Sequence, residues 1–277
     1  MKTLTTRKPH WQDRHRFVSN GRMAWYGDPG DEQYWYEYWK ARLTPDYYTS
    51  AEANDLTSDQ LGKVLLQAMS PQGLHLEAGC GAGYWVAALL HHGLMIEGIE
   101  YSSDLVALVH SANPKLPVRQ GNALHIDSPD SHYDTYLSIG VVEHRVEGPE
   151  PFLAEANRVL KPGGKIFISV PYFGPIRILN CRLSMYDRNP PNLPFFQYGF
   201  TRKEFTNYLQ KAGFSIEMVK ALYPHRLLLE EMSFYCWTFN QPWGHFVKQW
   251  AEKLLQTRDG HMLLVVGSKS ISPSTIY

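Results

Sequence analysis

The stretch HLEAGCGAGYWVAALL, His75 to Leu90, sets glycines at 79, 81 and 83 between an apolar approach and an apolar run. Glycines this close together let a backbone press against a ligand. Dinucleotide-binding turns read GxGxxG, but the third slot after Gly79 and Gly81 holds Tyr84. A tyrosine there obstructs the helix–strand packing that the third glycine serves. The pattern is instead Glu77-x-Gly79-x-Gly81-x-Gly83, with an acid two residues before the first glycine. A carboxylate aimed into the turn repels a pyrophosphate and suits a ligand with cationic groups. No GxxxxGK[ST] lysine follows. About twenty residues on, Glu100 closes LMIEGIE (94–100), where a carboxylate can accept from both hydroxyls of a ribose. Turn and acid together point to a nucleoside joined to a cationic group, with no phosphate. Cys80 then reads as a small residue in the turn rather than a nucleophile.

The elements that must position these residues alternate. GLHLEAG (73–79), LMIEGIE (94–100), PVRQGNA (117–123), YDTYLSIGVV (133–142) and KIFISVPYF (165–173) read as strands. Between them lie helical patterns at 84–93, closed by Gly93, at 103–113, stopped by Pro114, and at 149–160. Strands alternating with helices predict βαβ crossovers and a doubly wound, mainly parallel α/β sheet. FSIEMVKAL (214–222) and HMLLVVGSK (261–269) add two strands and bring the sheet to seven. A helix at 57–69 takes Thr57 or Ser58 as its N-cap, and Thr201 to Glu204 form a capping box that opens a helix to Ala212.

Three regions stand outside this alternation. Residues 1–50 concentrate aromatics: Trp11, Phe17, Trp25, Tyr26, Tyr34, Trp35, Tyr36, Tyr38, Trp39, Tyr47 and Tyr48. Tyr34 and Tyr38, with Trp35 and Trp39, make adjacent stripes on a helix, which predicts a cap gluing itself to the main domain or a lid walling a pocket. Residues 175–200 are Pro- and aromatic-rich and read as irregular. The forty or so residues between the last two strands read as an insertion that includes the helix WGHFVKQWAEKLLQ. The expected organisation is a helical cap over 1–72 and a main domain over 73–277, with substrate-side segments at about 174–200 and 222–260.

Composition narrows the function. Lys+Arg and Asp+Glu are both 27, so the overall charge favours neither nucleic acid nor an anionic membrane. Lys2, Arg7, Lys8, Arg14, Arg16 and Arg22 make the first 22 residues basic, and a flexible arm is the simplest reading. Cys80, Cys181 and Cys236 show neither a CxxC pair nor a disulfide framework, and no signal peptide or membrane span is evident. A cytoplasmic setting is expected. The twelve histidines show no ligand-spaced cluster, so no metal ligand is assigned, and nothing sets an oligomeric state.

HLEAGCGAG, GIEYS, QGNA, YDTYLSIGVVEH and RVLKPGGKIFISVP, in that order, resemble the class I S-adenosylmethionine-dependent methyltransferases, and most closely their small-molecule branch with an E/DxGxGxG signature. The likeness covers about 73–173 and extends through YGFTRKEFTNYLQKAGF (198–214). It implies a Rossmann-like methyltransferase fold with S-adenosyl-L-methionine as cofactor and S-adenosyl-L-homocysteine as product. It further implies that Gly79, Gly81 and Gly83 admit the methionine and ribose parts, that Glu77 meets the amino-acid end, and that Glu100 binds the ribose hydroxyls. Tyr101 would flank the adenine, and Ile139 and Gly140 would lie under the cofactor. Asn122 and Ala123 stand where the family usually has Asp and a small residue. The Asn amide oxygen can still accept from the adenine amine, so weaker recognition is expected.

The implied chemistry is in-line displacement of a sulfonium methyl by an aligned nucleophile. For a hydroxyl or phenol acceptor His144 is the first candidate general base, with orienting a loop or touching the cofactor as its alternative roles. Tyr26, Tyr172, Tyr198 and His225 are candidate pocket residues. Asn189-Pro190-Pro191-Asn192 differs from the NPPY of base-methylating enzymes in its last residue and in lying after the fifth strand, so that reading is rejected. The expectation is a methyltransferase acting on a small-molecule acceptor. An RNA or protein methyltransferase and a non-catalytic S-adenosylmethionine-binding protein are the alternatives.

Overall fold

Runs such as IFI (166–168) and LLVV (263–266) are apolar at consecutive positions, so they demand cover on both faces of a sheet. The computed structural model describes residues 15–19, 21–53, 55–188, 192–255 and 258–271 and supplies that cover. Its strands are β1 (His15–Ser19), β2 (Arg22–Tyr26), β3 (Leu74–Ala78), β4 (Met95–Glu100), β5 (Val118–Gln120), β6 (Tyr133–Ile139), β7 (Leu160–Pro171), β8 (Phe195–Gly199), β9 (Phe214–Leu222) and β10 (Met262–Lys269). Its helices are α1 (Glu32–Lys40), α2 (Tyr47–Glu52), α3 (Gln60–Ala68), α4 (Tyr84–His91), α5 (Ser103–Ala112), α6 (Glu150–Val159), α7 (Pro175–Arg182), α8 (Arg202–Lys211), α9 (Pro224–Glu231), α10 (Ser233–Phe239) and α11 (Gly244–Leu255).

Among the described residues the main sheet has seven strands in the order β5-β4-β3-β6-β7-β10-β9. It is parallel except for β10, which runs antiparallel to both β7 and β9. On β10, Leu264 and Val266 join the core under α3, α4 and α5, while Leu263 and Val265 join the core under α6 and α8. Both faces are therefore buried, as the doubly wound expectation requires. Strand order reverses between β3 and β6, and a ligand crevice belongs beyond the carboxyl ends of those strands.

The capping box holds: Thr201 Oγ1 accepts from the amide of Glu204. The cap of α3 is one residue later than expected, because Asp59, not Thr57 or Ser58, accepts from the amides of Leu61 and Gly62. The segment expected to be a helical cap is only partly helical. Strands β1 and β2 pair antiparallel, and β8 pairs antiparallel with β2 to make a three-stranded sheet. That sheet takes its third strand from the region expected to be irregular, which also contains α7. Pairing across more than 160 residues leaves no local signal, and the prolines before Phe195 hide the strand. Two of the basic residues expected in a flexible arm are also fixed: Arg22 bonds Glu204 and Tyr208, and Arg16 bonds Glu231. Trp11, the other basic residues of that arm and Asn189 to Pro191 lie outside the described residues.

Among the described residues the insertion contains three helices where one was expected. Its anchor is Arg177 of α7, fully buried, which donates to Glu230 and Glu231 of α9 and to the carbonyls of Tyr172 and His261. A buried guanidinium persists only when its charge is met this way.

Candidate functional site

The glycine turn joins β3 to α4, and each glycine has its own reason. All three have φ between +54° and +77°. A Cβ on Gly79 would come within 2.7 Å of Val141, on Gly81 within 2.5 Å of the Trp39 ring, and on Gly83 within 2.7 Å of Leu116. The amides of Gly79 and Cys80 donate to the Ile99 carbonyl, which ties the turn to β4. The amide of Gly81 donates to Glu100 Oε2 at 3.0 Å and that of Ser102 to Glu100 Oε1 at 3.1 Å. Burial raises the pKa of Glu100 above its ordinary value, while these amides oppose the shift. With the Tyr101 backbone also donating, the carboxylate keeps part of its acceptor capacity for a further donor.

A cavity of about 900 Å³ opens over this turn. Gly79, Gly81, Glu100, Tyr101, Asn122, Ala123, Ile139, Gly140 and His144 line it, together with Trp35 and Trp39 of α1. Asn122 Oδ1 already accepts from the amide of Leu124 at 2.9 Å, which fixes the side chain and leaves one lone pair. Neither Gly83, which packs towards Leu116 and Val118, nor Glu77 is a lining residue. Glu77 lies beneath the turn, buried, and its Oε2 has no hydrogen-bond partner among the described residues. Burial pushes its carboxyl up to about 8, with the Val86 backbone opposing and the charge of Glu100 adding. A buried, orphaned carboxyl oxygen under a glycine cradle is what a ligand with an ammonium group would satisfy. Cys80 is a buried free thiol whose pKa burial raises, the opposite of an activated nucleophile.

A second cavity, of about 620 Å³, shares Trp35, Trp39, Ile139, Gly140 and His144 with the first. Trp25, Tyr38, Phe196 and Tyr223 extend its aromatic wall, and Arg42, Glu143, Arg226, Glu230 and His261 supply polar groups. Nδ1 of His144 lies 2.8 Å from the Phe196 carbonyl, which can only accept, so Nδ1 carries the proton. In the neutral ring Nε2 then holds the lone pair, 4.0 Å from Glu143 Oε1. Trp35 and Phe196 meet the imidazole edge-on, with ring centroids at 4.9 and 4.7 Å. The Glu143 carboxyl is buried, its Oε2 has no partner among the described residues, and burial pushes it up to about 8.

Four sequence candidates fall elsewhere. Tyr26, Tyr172, Tyr198 and His225 line neither cavity. Tyr26 packs edge-on against Phe17 and Phe195. Tyr172 is buried where β7 bridges to Phe200. Tyr198 donates to the Val146 carbonyl and lies under the Arg22 guanidinium, and His225 Nδ1 pairs with the Tyr235 hydroxyl. For Tyr198 and His225 a neighbouring element engages the polar tip. Sequence reasoning missed Glu143, Phe196 and Tyr223. Tyr223 holds a left-handed φ of 59°, a strained backbone for a tyrosine, at the entrance to α9. The aromatic stripe on α1 was the one signal pointing to this wall, and Trp35 and Trp39 line both cavities.

Residues 76–168 match the family profile described as "Methyltransferase domain". A probable S-adenosylmethionine-dependent methyltransferase of Mycolicibacterium smegmatis is 32% identical over 145 residues, 51% of this chain and 52% of that protein. A ubiquinone biosynthesis O-methyltransferase of Coxiella burnetii is 31% identical over 112 residues, 39% of this chain and 47% of that protein. The matches thus span about half the length of each relative. Among solved structures, an S-adenosylmethionine-dependent methyltransferase from Mesorhizobium loti superposes with a TM-score of 0.53 at 17% identity, covering 77% of this chain and all of that one. Residues 76–168 therefore match a methyltransferase domain on a Rossmann-like fold, and the chain is similar to S-adenosylmethionine-dependent methyltransferases. S-adenosylmethionine is the cofactor of that class, and the glycine cradle, Glu100 and the orphaned Glu77 oxygen fit it.

Proposed function

We propose that this protein transfers a methyl group from S-adenosylmethionine to an O or N nucleophile of a small-molecule acceptor. The observation that carries this is the junction of the two cavities at Ile139, Gly140 and His144. One cavity is built for a nucleoside with an amino-acid tail and the other, aromatic-walled, for an acceptor of modest size.

In this reading the backbone of Gly79 and Gly81 lies against the cofactor. Glu100 accepts from the ribose hydroxyls, Tyr101 flanks the base, and Asn122 and Ala123 read the adenine edge. Glu77 gives up its proton when an ammonium group arrives above it. When bound, S-adenosylmethionine supplies an electrophilic methyl on a sulfonium. The chain's own contribution is alignment, which is worth up to about 7–11 kcal/mol in ideal cases. Trp35 and Trp39, on the segment proposed as a lid over the 73–277 domain, exclude water from the junction. His144 Nε2, its tautomer set by Phe196, accepts the acceptor's proton as the new bond forms.

The likeness to an O-methyltransferase of ubiquinone biosynthesis supports a small-molecule acceptor, and the balanced charge supports it over a nucleic acid. Three free thiols fit a reducing, cytoplasmic setting. The test is transfer of tritium from labelled cofactor into separated metabolite, RNA and protein fractions. Label in the metabolite fraction is expected, and label confined to RNA or protein would replace this reading.

A further inference from the structure

The three helices of the insertion pack on one another through Leu228, Tyr235 and Ala251, with Val247 and Leu255 beside them. On α11 that inner line runs 247-251-255. A second apolar line, 246-250-254, sits one residue away and is uncovered: Phe246 is 55% exposed, Trp250 73% and Leu254 70%. On α10, Phe234 and Trp237 stack on each other and are 71% and 57% exposed. An apolar arc twice as wide as its packing needs, ending in five large exposed side chains, marks an interaction surface.

We propose that the outward face of α10 and α11 docks on an anionic lipid bilayer. The charges beside the aromatics favour this occupant. Lys253, next to Leu254, and Arg258, just after α11, are exposed, while Glu252 is neutralised by Lys248 on the side nearer Tyr235. The chain as a whole has no net charge, so this face is basic by local concentration. Indole and phenyl rings settle at the depth of the lipid carbonyls while lysines reach the phosphates, which is the pattern of an interfacial helix. A second copy of the chain on the same face would set these cations against their own counterparts across a two-fold axis. No helix of the described residues is long and apolar enough to cross a membrane, so the contact is with the surface. Helix α9, whose Leu228 packs on α10 and α11, lends Arg226 and Glu230 to the second cavity. Docking therefore brings that cavity close to the bilayer, where a lipid-soluble acceptor would be concentrated.

Co-sedimentation of the full chain with phosphatidylcholine vesicles, with and without phosphatidylglycerol, tests this. The wild type is expected to pellet with the anionic vesicles, less so as salt rises, and to stay largely in solution with phosphatidylcholine alone. Trp237→Ser/Trp250→Ser should lose at least about tenfold in partitioning. It should still bind adenosylhomocysteine as the wild type does, since neither residue lines a cavity, and that binding reports that the variant is folded. A wild type that stays in solution with anionic vesicles, or a folded double variant that pellets unchanged, would overturn the proposal. So would a concentration-dependent dimer abolished by the double variant, which would assign the face to a second copy.

Discussion

Gly81 and Glu100 are 19 residues apart in the chain, and the amide of one donates to the carboxylate of the other at 3.0 Å. The spacing that sequence reading treats as a pattern is thus a physical bond across the ends of two adjacent parallel strands. The strand-end acid holds the turn in shape and still offers lone pairs to a ligand. A turn so held is assembled before any ligand arrives.

Gly81→Ala should be worse than replacement of a glycine that only needs its dihedral. Gly81 has φ +54° and its Cβ would meet Trp39, whereas Gly93, at φ +82°, has nothing within 4 Å. Gly93→Ala carries the left-handed penalty alone, about 1–2 kcal/mol. Gly81→Ala adds displacement of Trp39 and should also weaken adenosylhomocysteine binding. Thermal melts and calorimetry on both variants check this, and equal effects would contradict the assigned contact.

Arg177→Met should destabilise the fold by about 3–5 kcal/mol, because it strands Glu230 and Glu231 without their buried cation. Burial pushes the Glu230 carboxyl up, but His261, Arg177 and Arg226 outweigh it and hold it down at about 2. A depressed carboxylate contributes stability above its ordinary value of 4.5 and loses it as pH falls towards 2. Acid unfolding of the wild type should therefore show a component in that window that Glu230→Gln lacks.

Glu77 behaves oppositely. Its carboxyl is raised from 4.5 to about 8, so the folded state holds its proton more tightly than the unfolded chain. The associated stability is full below pH 4.5 and declines as pH rises through 8. Glu77→Gln should remove one proton's worth of that slope, with Glu143 leaving a similar slope behind. Adenosylhomocysteine binding near pH 7 should release a proton in the wild type and none from this site in Glu77→Gln. Calorimetry in buffers of different ionisation enthalpy reads this directly, and equal proton counts would remove Glu77 from the cofactor site.

His144→Ala should lower turnover about 10²–10⁴-fold while leaving adenosylhomocysteine affinity unchanged. An unchanged rate with an acceptor found by tritium transfer would reduce His144 to a wall of the cavity.

The main sheet was legible because each strand and helix carries its own local pattern, from the apolar run before Gly79 to the capping box at Thr201. Most residues lining the first cavity were legible for the same reason, since they sit at the ends of those strands. The second cavity was not. Trp35, Phe196 and Tyr223 meet there from three distant segments, and only tertiary packing joins them. The β2–β8 pairing that carries Phe196 to His144 leaves no mark within either strand. Glu143 went unnoticed because its meaning lies in its burial, and Tyr26, Tyr172 and Tyr198 line neither cavity because packing against β1, β8 and their neighbours, which their own sequence does not show, places them elsewhere.

The central claim is that the turn and Glu100 hold S-adenosylmethionine through its nucleoside. Calorimetric titration of adenosylhomocysteine into the wild type and Glu100→Ala tests it most directly. The account predicts measurable binding by the wild type and a loss of about 1.5–3 kcal/mol in the variant, the usual worth of hydrogen bonds to a charged group. No binding by the wild type, or equal binding by both, would contradict it.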